Sequence, residues 1–159
     1  PFLLKGIIEG ADGRALTVAW TRKGAGKLYR YYIHTRENKE HAGASGLPRL
    51  PAIELEANVV QQMRLILRAP DLKTRVAKLM TGMDEGVNEA KVCIAMLQID
   101  KVWDQLFPAE QERIVRLLIK KVVVTPHTVE LQFRPNGLER LAAELKPPAQ
   151  QAPVEEVTA

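Results

Sequence analysis

The sequence predicts an α+β fold, in which a basic, ribbon-like β-hairpin subdomain precedes a helical subdomain and a C-terminal β-hairpin. Two β-prone runs among the first fifty residues flank a basic turn that is rich in glycine, as is typical of a hairpin. Apolar residues then recur at helical spacing over residues 51–121, and β-branched runs at 122–134 follow. With 159 residues, the chain can form one domain or two small joined ones.

The first hairpin is predicted from two short runs. Asp12 and Gly13 form a turn dipeptide ahead of the first strand, residues 15–20. The second strand, residues 28–34, is aromatic and β-branched. Glycine and proline punctuate residues 35–51, so we expect a loop there.

The three tyrosines of the second strand cannot all line one surface. Successive side chains of a strand point to opposite faces, so Tyr29 and Tyr31 share one face and Tyr32 lies on the other. We therefore expect at least one tyrosine to pack beneath the sheet.

Prolines and capping residues divide the helical body into short helices, and we expect Trp103 to lie in its core. The predicted starts and apolar stripes are Pro51 with Ile53, Val60, Met63 and Leu67; Asp71 with Leu72, Val76, Leu79 and Met80; Asn88 with Val92, Met96 and Ile99; and Pro108, opening 109–121, with Ile114, Leu117 and Leu118.

The C-terminal hairpin is predicted over residues 122–134. Val129, Leu131 and Phe133 face one way there, and the polar residues between them face the other way. We expect three regions: 1–50, 51–146 and a disordered tail, 147–159, rich in proline and glutamine.

The net charge of +4 is unevenly distributed. Residues 1–50 hold nine basic and four acidic side chains. The stretch from Arg14 to Arg36 holds six of these cations and no acidic side chain. A phosphate backbone favours such a cluster, because each neutralised phosphate releases counterions. The alternative is the solvated face of a small sheet, and composition alone favours neither interpretation.

Several function classes find little support. No apolar run approaches the roughly 20 residues that cross a bilayer. Cys93 is the one cysteine, so no internal disulfide forms and a reducing, cytoplasmic compartment is expected. The one serine, Ser45, lies near His41, but proximity in a loop is a weak basis for a hydrolase. We expect no catalytic residue and no cofactor.

A metal site formed by Glu9, Asp12 and His34 is a further alternative, which would allow a metallohydrolase. The spacing is that of a zinc ribbon, in which two knuckles each supply two ligands. Structural zinc favours thiolate and imidazole ligands, so we expect Asp12 and Gly13 simply to form the turn.

Several strings resemble the C-terminal region of large serine recombinases of the resolvase/invertase family, over about residues 3–145. The most specific is Trp103-Asp-Gln-Leu-Phe-Pro-Ala-Glu-Gln. The others are Leu3-Leu-Lys-Gly-Ile-Ile, Asp12-Gly-Arg-Ala-Leu, Thr21-Arg-Lys-Gly, Tyr29-Arg-Tyr-Tyr, Pro48-Arg-Leu-Pro-Ala-Ile-Glu-Leu-Glu and the hairpin from Val122.

This resemblance implies a zinc-ribbon-like subdomain whose metal ligands are replaced. The knuckle cysteines of the family fall near Glu9, Asp12, His34 and Ser45, so we expect no bound metal. The family's catalytic serine lies in a domain ahead of this region, and the first residue, Pro1, is consistent with a chain that continues upstream. The short helices at 71–106 leave little room for the family's long coiled-coil insertion.

The resemblance also implies binding to double-stranded DNA at the outer part of an attachment half-site, in a bacterial or phage-derived system that includes mobile elements. An alternative is a protein-interaction module that self-associates through the helices at 83–106 and 109–121. The DNA contacts expected by analogy are Arg22, Lys23, Lys27, Arg30 and Arg36, with Arg14 and Arg49 on phosphates.

Overall fold

The computed structural model describes residues 2–68, 97–134, 137, 140 and 141. Its sheets and helices confirm the α+β class. The helices predicted between residues 71 and 96, Cys93, most of the last helix at 138–145 and the tail lie outside the described residues. The elements in chain order are β1 (Ile8–Gly10), β2 (Leu16–Lys23), β3 (Lys27–His34), α1 (Thr35–Lys39), β4 (Leu50–Pro51), α2 (Ala52–Arg68), helical residues 97–102 leading into a 3-10 turn (Trp103–Gln105), α3 (Pro108–Leu118), β5 (Ile119–Val124) and β6 (Val129–Phe133).

The first sheet has the order β2-β3-β4 and contains the predicted basic hairpin. Strands β2 and β3 pair from Leu16 opposite His34 to Lys23 opposite Lys27, so both strands extend into the segment predicted as a turn. The turn itself includes Gly24 and Gly26, whose φ angles of 57° and 89° lie in the left-handed region that glycine adopts without strain.

The second sheet has the order β1-β5-β6, and β1 runs parallel to β5. Ile8 lies opposite Val122, and the Ile7 carbonyl accepts a hydrogen bond from the Val122 N–H at 2.8 Å. A parallel pair needs a long crossover connection, and here β2 to α3 lie between the two strands. This pairing joins residues on both sides of the boundary expected at residue 50. The division into regions 1–50 and 51–146 stays a prediction.

Two predicted boundaries were wrong. The loop expected at 35–51 contains α1 and β4, because the His34 side chain accepts from the Arg36 N–H at 3.1 Å and caps a short helix. The helix expected at 109–121 ends at Leu118, because Ile119 already pairs with Phe133 of β6. The β-branched residues after Leu118 favour the extended backbone that this pairing requires.

The buried stripe of α2 includes the predicted Met63 and Leu67 but not Ile53, which is 70% exposed. The buried positions lie three or four residues apart, and Ile53 lies outside the stripe that they form. Trp103 is buried, as predicted, and packs in one cluster with these residues. The residues of the α2 stripe are Ala52, Leu55, Val59, Met63 and Leu67; in α3 the buried positions are Val115 and Leu118, whereas Ile114 and Leu117 are half-buried.

A polar contact at Tyr32 joins the N-terminal segment, β3 and α2. The fully buried Tyr32 hydroxyl accepts from the Leu4 N–H at 3.0 Å and donates to Glu56 Oε1 at 2.7 Å. The same carboxylate oxygen accepts from the Leu3 N–H at 2.8 Å. Burial and the hydrogen bond to Glu56 raise the pKa of Tyr32 well above its ordinary value. We call this arrangement of Tyr32, Glu56 and the two backbone N–H groups the Tyr32 clamp.

Replacing Tyr32 with phenylalanine should lower the free energy of unfolding by about 1–3 kcal/mol, because a buried N–H and a carboxylate oxygen each lose a partner. Urea denaturation of Tyr32→Phe measures this loss. The control is Tyr31→Phe, since the half-buried Tyr31 hydroxyl has no hydrogen bond to another described residue; it should cost less than about 0.5 kcal/mol. Equal losses in both variants would contradict the role of the clamp.

Candidate nucleic-acid interface

The far end of the β2–β3 hairpin, residues 20–30, is exposed except at the half-buried Thr21 and Arg30, and we call it the hairpin tip. Three large apolar side chains lie on it: Trp20, Leu28 and Tyr29 are 56%, 52% and 36% exposed. Isolated exposed apolar residues are ordinary, but here Trp20 and Leu28 lie on one face of the tip and Tyr29 on the other, each beside cations.

One face of the hairpin tip combines arginines with apolar side chains. In the register of the hairpin, Trp20 lies opposite Arg30 and Arg22 lies opposite Leu28, so the four side chains share a face. Phe2 packs edge-on against Trp20 with the ring centroids 5.2 Å apart, and the Arg30 guanidinium lies 5.3 Å from the Phe2 centroid. The N-terminal segment therefore supports the base of this face and leaves its outer end open.

The opposite face carries two lysines around an aromatic ring. Lys23 lies opposite Lys27, and their Nζ atoms are 5.8 and 5.4 Å from the Tyr29 ring centroid. The attraction between an ammonium and an aromatic face helps to hold two like charges close together. This face thus presents a paired positive charge at the very end of the hairpin.

The structure divides the seven cations expected to contact DNA into groups. Arg22, Lys23 and Lys27 lie together at the tip, and none of them has a salt-bridge partner within the described part of the chain. Arg30 lies within 4.0 Å of Glu56. The remaining three lie elsewhere: Arg14 and Arg36 both contact Glu40 near the base of the hairpin, and Arg49 is exposed immediately before β4.

Sequence reasoning missed Leu28 as a member of the same surface as the cations. Strand alternation alone places Trp20 and Arg22 on one face, but only the pairing with β3 adds Leu28 to it. The prediction that at least one tyrosine packs beneath the sheet was confirmed, since Tyr32 is fully buried.

The candidate metal ligands do not converge. His34 Nε2 lies 2.9 Å from Asp12 Oδ1, but Glu9 instead accepts from Lys121 Nζ at 3.1 Å on the neighbouring sheet. His34 Nδ1 accepts from the Arg36 N–H, so Nε2 carries the proton and donates to Asp12. Within residues 2–68 and 97–134, no group of three His, Cys, Asp or Glu side chains could hold a metal ion.

The contact with His34 also affects the Asp12 carboxyl. The hydrogen bond lowers the pKa of Asp12 from its ordinary value of 3.8. A carboxyl whose pKa is lowered on folding stabilises the fold above its unfolded pKa, and that contribution is lost as the pH falls through the folded value. The Asp12–His34 contact is thus present at neutral pH.

The Ser45 and His41 pair is not assembled for catalysis either. The Glu37 carboxylate accepts from the Ser45 hydroxyl at 2.5 Å, and from the backbone N–H groups of Ser45 and Gly43 at 2.9 and 2.5 Å. These three donors, the Ser45 hydroxyl first, lower the pKa of Glu37 to about 2. His41 lies with Nδ1 3.0 Å from the Ala42 carbonyl oxygen. Glu37 therefore organises the loop, and Ser45 serves as its donor.

In the described part of the chain, no helix has both the length and the apolar composition needed to cross a bilayer.

The fold is shared with a solved structure. The chain matches a crystal structure of an LSR–DNA complex with a TM-score of 0.56 and 15% identity, over 83% of this chain and 55% of that chain. A solved structure from work on the sequence requirements of the Listeria innocua prophage attP site matches with a TM-score of 0.46 and 17% identity, over 83% and 42%, and adds nothing to the fold assignment. The chain spans about half the length of these solved chains. No protein-family model matches the chain, and no curated protein matches it.

Replacing His34 with alanine should lower the free energy of unfolding by about 2–4 kcal/mol, because it removes a buried ring and the cap of α1. Chemical denaturation at pH 7 measures the loss. His41→Ala is the matched control, since that ring is exposed, and it should change stability by less than about 0.5 kcal/mol. A His34→Ala variant as stable as the control would contradict the structural role of His34.

Proposed function

We propose that the chain is a DNA-binding, non-catalytic part of a site-specific serine recombinase. The observation that carries the proposal is the hairpin tip, where Arg22, Lys23 and Lys27 surround exposed apolar side chains. The fold shared with an LSR–DNA complex supports the same conclusion, and so does the resemblance in sequence to large serine recombinases.

The geometry of the hairpin suits a duplex groove. A two-stranded β-ribbon fits the major groove, which is roughly 12 Å wide. Cations along such a ribbon neutralise phosphates, and apolar side chains can contact thymine methyl groups. In this arrangement Arg22 and the two tip lysines supply charge, while Trp20 and Leu28 supply the apolar contact.

In this proposal the chain holds an attachment half-site and does not cut it. The serine that cleaves DNA belongs to a separate catalytic domain of the same enzyme, which would be encoded in a bacterial or phage-derived mobile element and act in the cytoplasm. The replaced knuckle positions, Asp12 and His34 among them, support a ribbon that needs no metal, because their side chains bond to each other.

Removing Arg22 and Lys23 together should weaken binding to duplex DNA and reduce the salt dependence of the affinity. Each lost phosphate contact lowers the slope of log K against log salt by about one, so Arg22→Ala with Lys23→Ala should lower it by about two. A fluorescence-polarisation titration at several salt concentrations measures both quantities.

The matched control removes two exposed cations far along the chain, with Lys101→Ala and Lys120→Ala. It changes the net charge equally but should leave the slope within about 0.5 of the wild-type value. If the tip variant and the control behave alike, the hairpin tip is not the DNA contact.

A second candidate function is self-association, which is compatible with DNA binding. Phe107 is 74% exposed at the start of α3, and Leu97 and Val102, at 39% and 38%, are exposed in the helical segment before it. Exposed apolar side chains on neighbouring segments favour contact with a partner of similar character.

Sedimentation at high protein concentration should show a dimer that Phe107→Ser weakens at least about tenfold, because the substitution removes an exposed aromatic anchor. Serine is a favourable residue at this N-cap position, so α3 should keep its stability. A wild-type protein that stays monomeric at all concentrations would exclude this candidate.

A further inference from the structure

Two arginines from different elements meet on one carboxylate at the base of the hairpin. Arg36 donates to Glu40 from Nε at 3.1 and 3.0 Å and from Nη2 at 2.9 Å. Arg14, which precedes β2, donates from Nη1 to the same carboxylate at 3.3 Å. The side chains of Arg14, Arg36 and Glu40 are 57%, 36% and 38% exposed, so solvent and ligands reach all three.

We propose that Arg14 and Arg36 form a site for a DNA backbone phosphate, which the Glu40 carboxylate occupies in the free protein. The inference rests on the proposed function. It joins two of the cations that the sequence resemblance implies as DNA contacts into one phosphate site, and it adds an internal competitor for that site.

The chemistry of the cluster suits a phosphate. The planar guanidinium of Arg36 donates from Nε to Oε1 and from Nη2 to Oε2 of Glu40, and the same pair of donors matches two oxygens of a phosphate. The hydrogen bond from Arg36 lowers the pKa of Glu40, so the competing group is charged at neutral pH. Because exposed ion pairs contribute little to stability, an incoming phosphate can displace Glu40 at small cost.

Among the described residues, Glu40 is the carboxylate whose side chain directly contacts both arginine side chains. Asp12 is engaged by His34 and by the Arg14 backbone N–H, and Glu37 is engaged by Ser45 and Gly43. Both carboxylates act on Arg36 only through longer-range attraction, behind the direct contact with Glu40. Lys39, on α1, is exposed and adds a further positive charge.

The position of the cluster is compatible with DNA that lies along the hairpin. The eight residues of β3 span about 23 Å from the tip to the base, at about 3.3 Å per residue. A duplex carries one phosphate per roughly 1.7 Å of its axis. A duplex that contacts the tip and runs toward the base therefore presents phosphates to Arg14 and Arg36.

The test is the substitution Glu40→Gln, which removes the competing charge and keeps the shape of the side chain. Binding of the full chain to a labelled duplex is measured at several salt concentrations. The matched control is Glu112→Gln, because Glu112 pairs with Arg116 in the same i,i+4 geometry at 2.9 Å, with side chains 38% and 39% exposed. It raises the net charge by the same amount on another element, α3.

Glu40→Gln should tighten binding about fivefold at 50 mM salt and steepen the salt slope by about one, whereas Glu112→Gln should change the affinity by less than about twofold. Adding Arg36→Ala to Glu40→Gln should abolish the gain. If the ion pair is merely structural, Glu40→Gln should leave the affinity for DNA unchanged or weaken it.

Three results would overturn the inference. If Glu40→Gln binds no more tightly than the wild type while the Arg22→Ala, Lys23→Ala variant binds weakly, the phosphate site is wrong and the proposed function stands. If Glu40→Gln and Glu112→Gln tighten binding equally, the effect is one of net charge alone. If the tip variant binds as well as the wild type, the proposed function and this inference both fail.

Discussion

The architecture depends on the Tyr32 clamp, because this contact joins parts of the chain that no local pattern brings together. A single hydroxyl donates to Glu56 of α2 and accepts from the N-terminal segment, while its ring packs at the base of the hairpin. The N-terminal segment in turn leads into β1, which pairs with β5 of the other sheet. The clamp thus holds both sheets and α2 in one arrangement and leaves the tip of the β2–β3 hairpin exposed.

This arrangement assigns different roles to cations that look alike in the sequence. Arg30 lies over Phe2 and near Glu56, where it supports the inner end of the hairpin tip. Lys23 and Lys27 lie at the end of the hairpin beside Tyr29, where charge is available to a ligand. A positive segment of the chain therefore contains cations that pack against the rest of the fold and cations that lie at its exposed end, and only three-dimensional contacts distinguish them.

Local sequence patterns predicted the elements whose cause is local. The β2–β3 hairpin follows from strand alternation around Gly24 and Gly26, and the same alternation predicts that at least one of the three tyrosines is buried, which the structure shows to be Tyr32. Features that depend on distant partners could not be predicted. Ile119 is not part of α3 because it pairs with Phe133 of β6. Arg14 contacts Glu40, which lies 26 positions further along the sequence. These contacts between distant residues determine which arginines form ion pairs. The sequence therefore identified the charged region, but not which of its cations are paired with carboxylates.

The most direct test of the central claim, that the hairpin tip contacts DNA, uses tryptophan fluorescence. The chain has two tryptophans, of which Trp20 is 56% exposed at the tip and Trp103 is 4% exposed in the core. A Trp103→Phe variant reports on Trp20 alone, and Trp20→Phe reports on Trp103 alone. The account predicts that duplex DNA changes the emission of the first variant, reversibly with added salt, and leaves the second unchanged. Saturating DNA that leaves the emission of Trp20 unchanged would contradict the account.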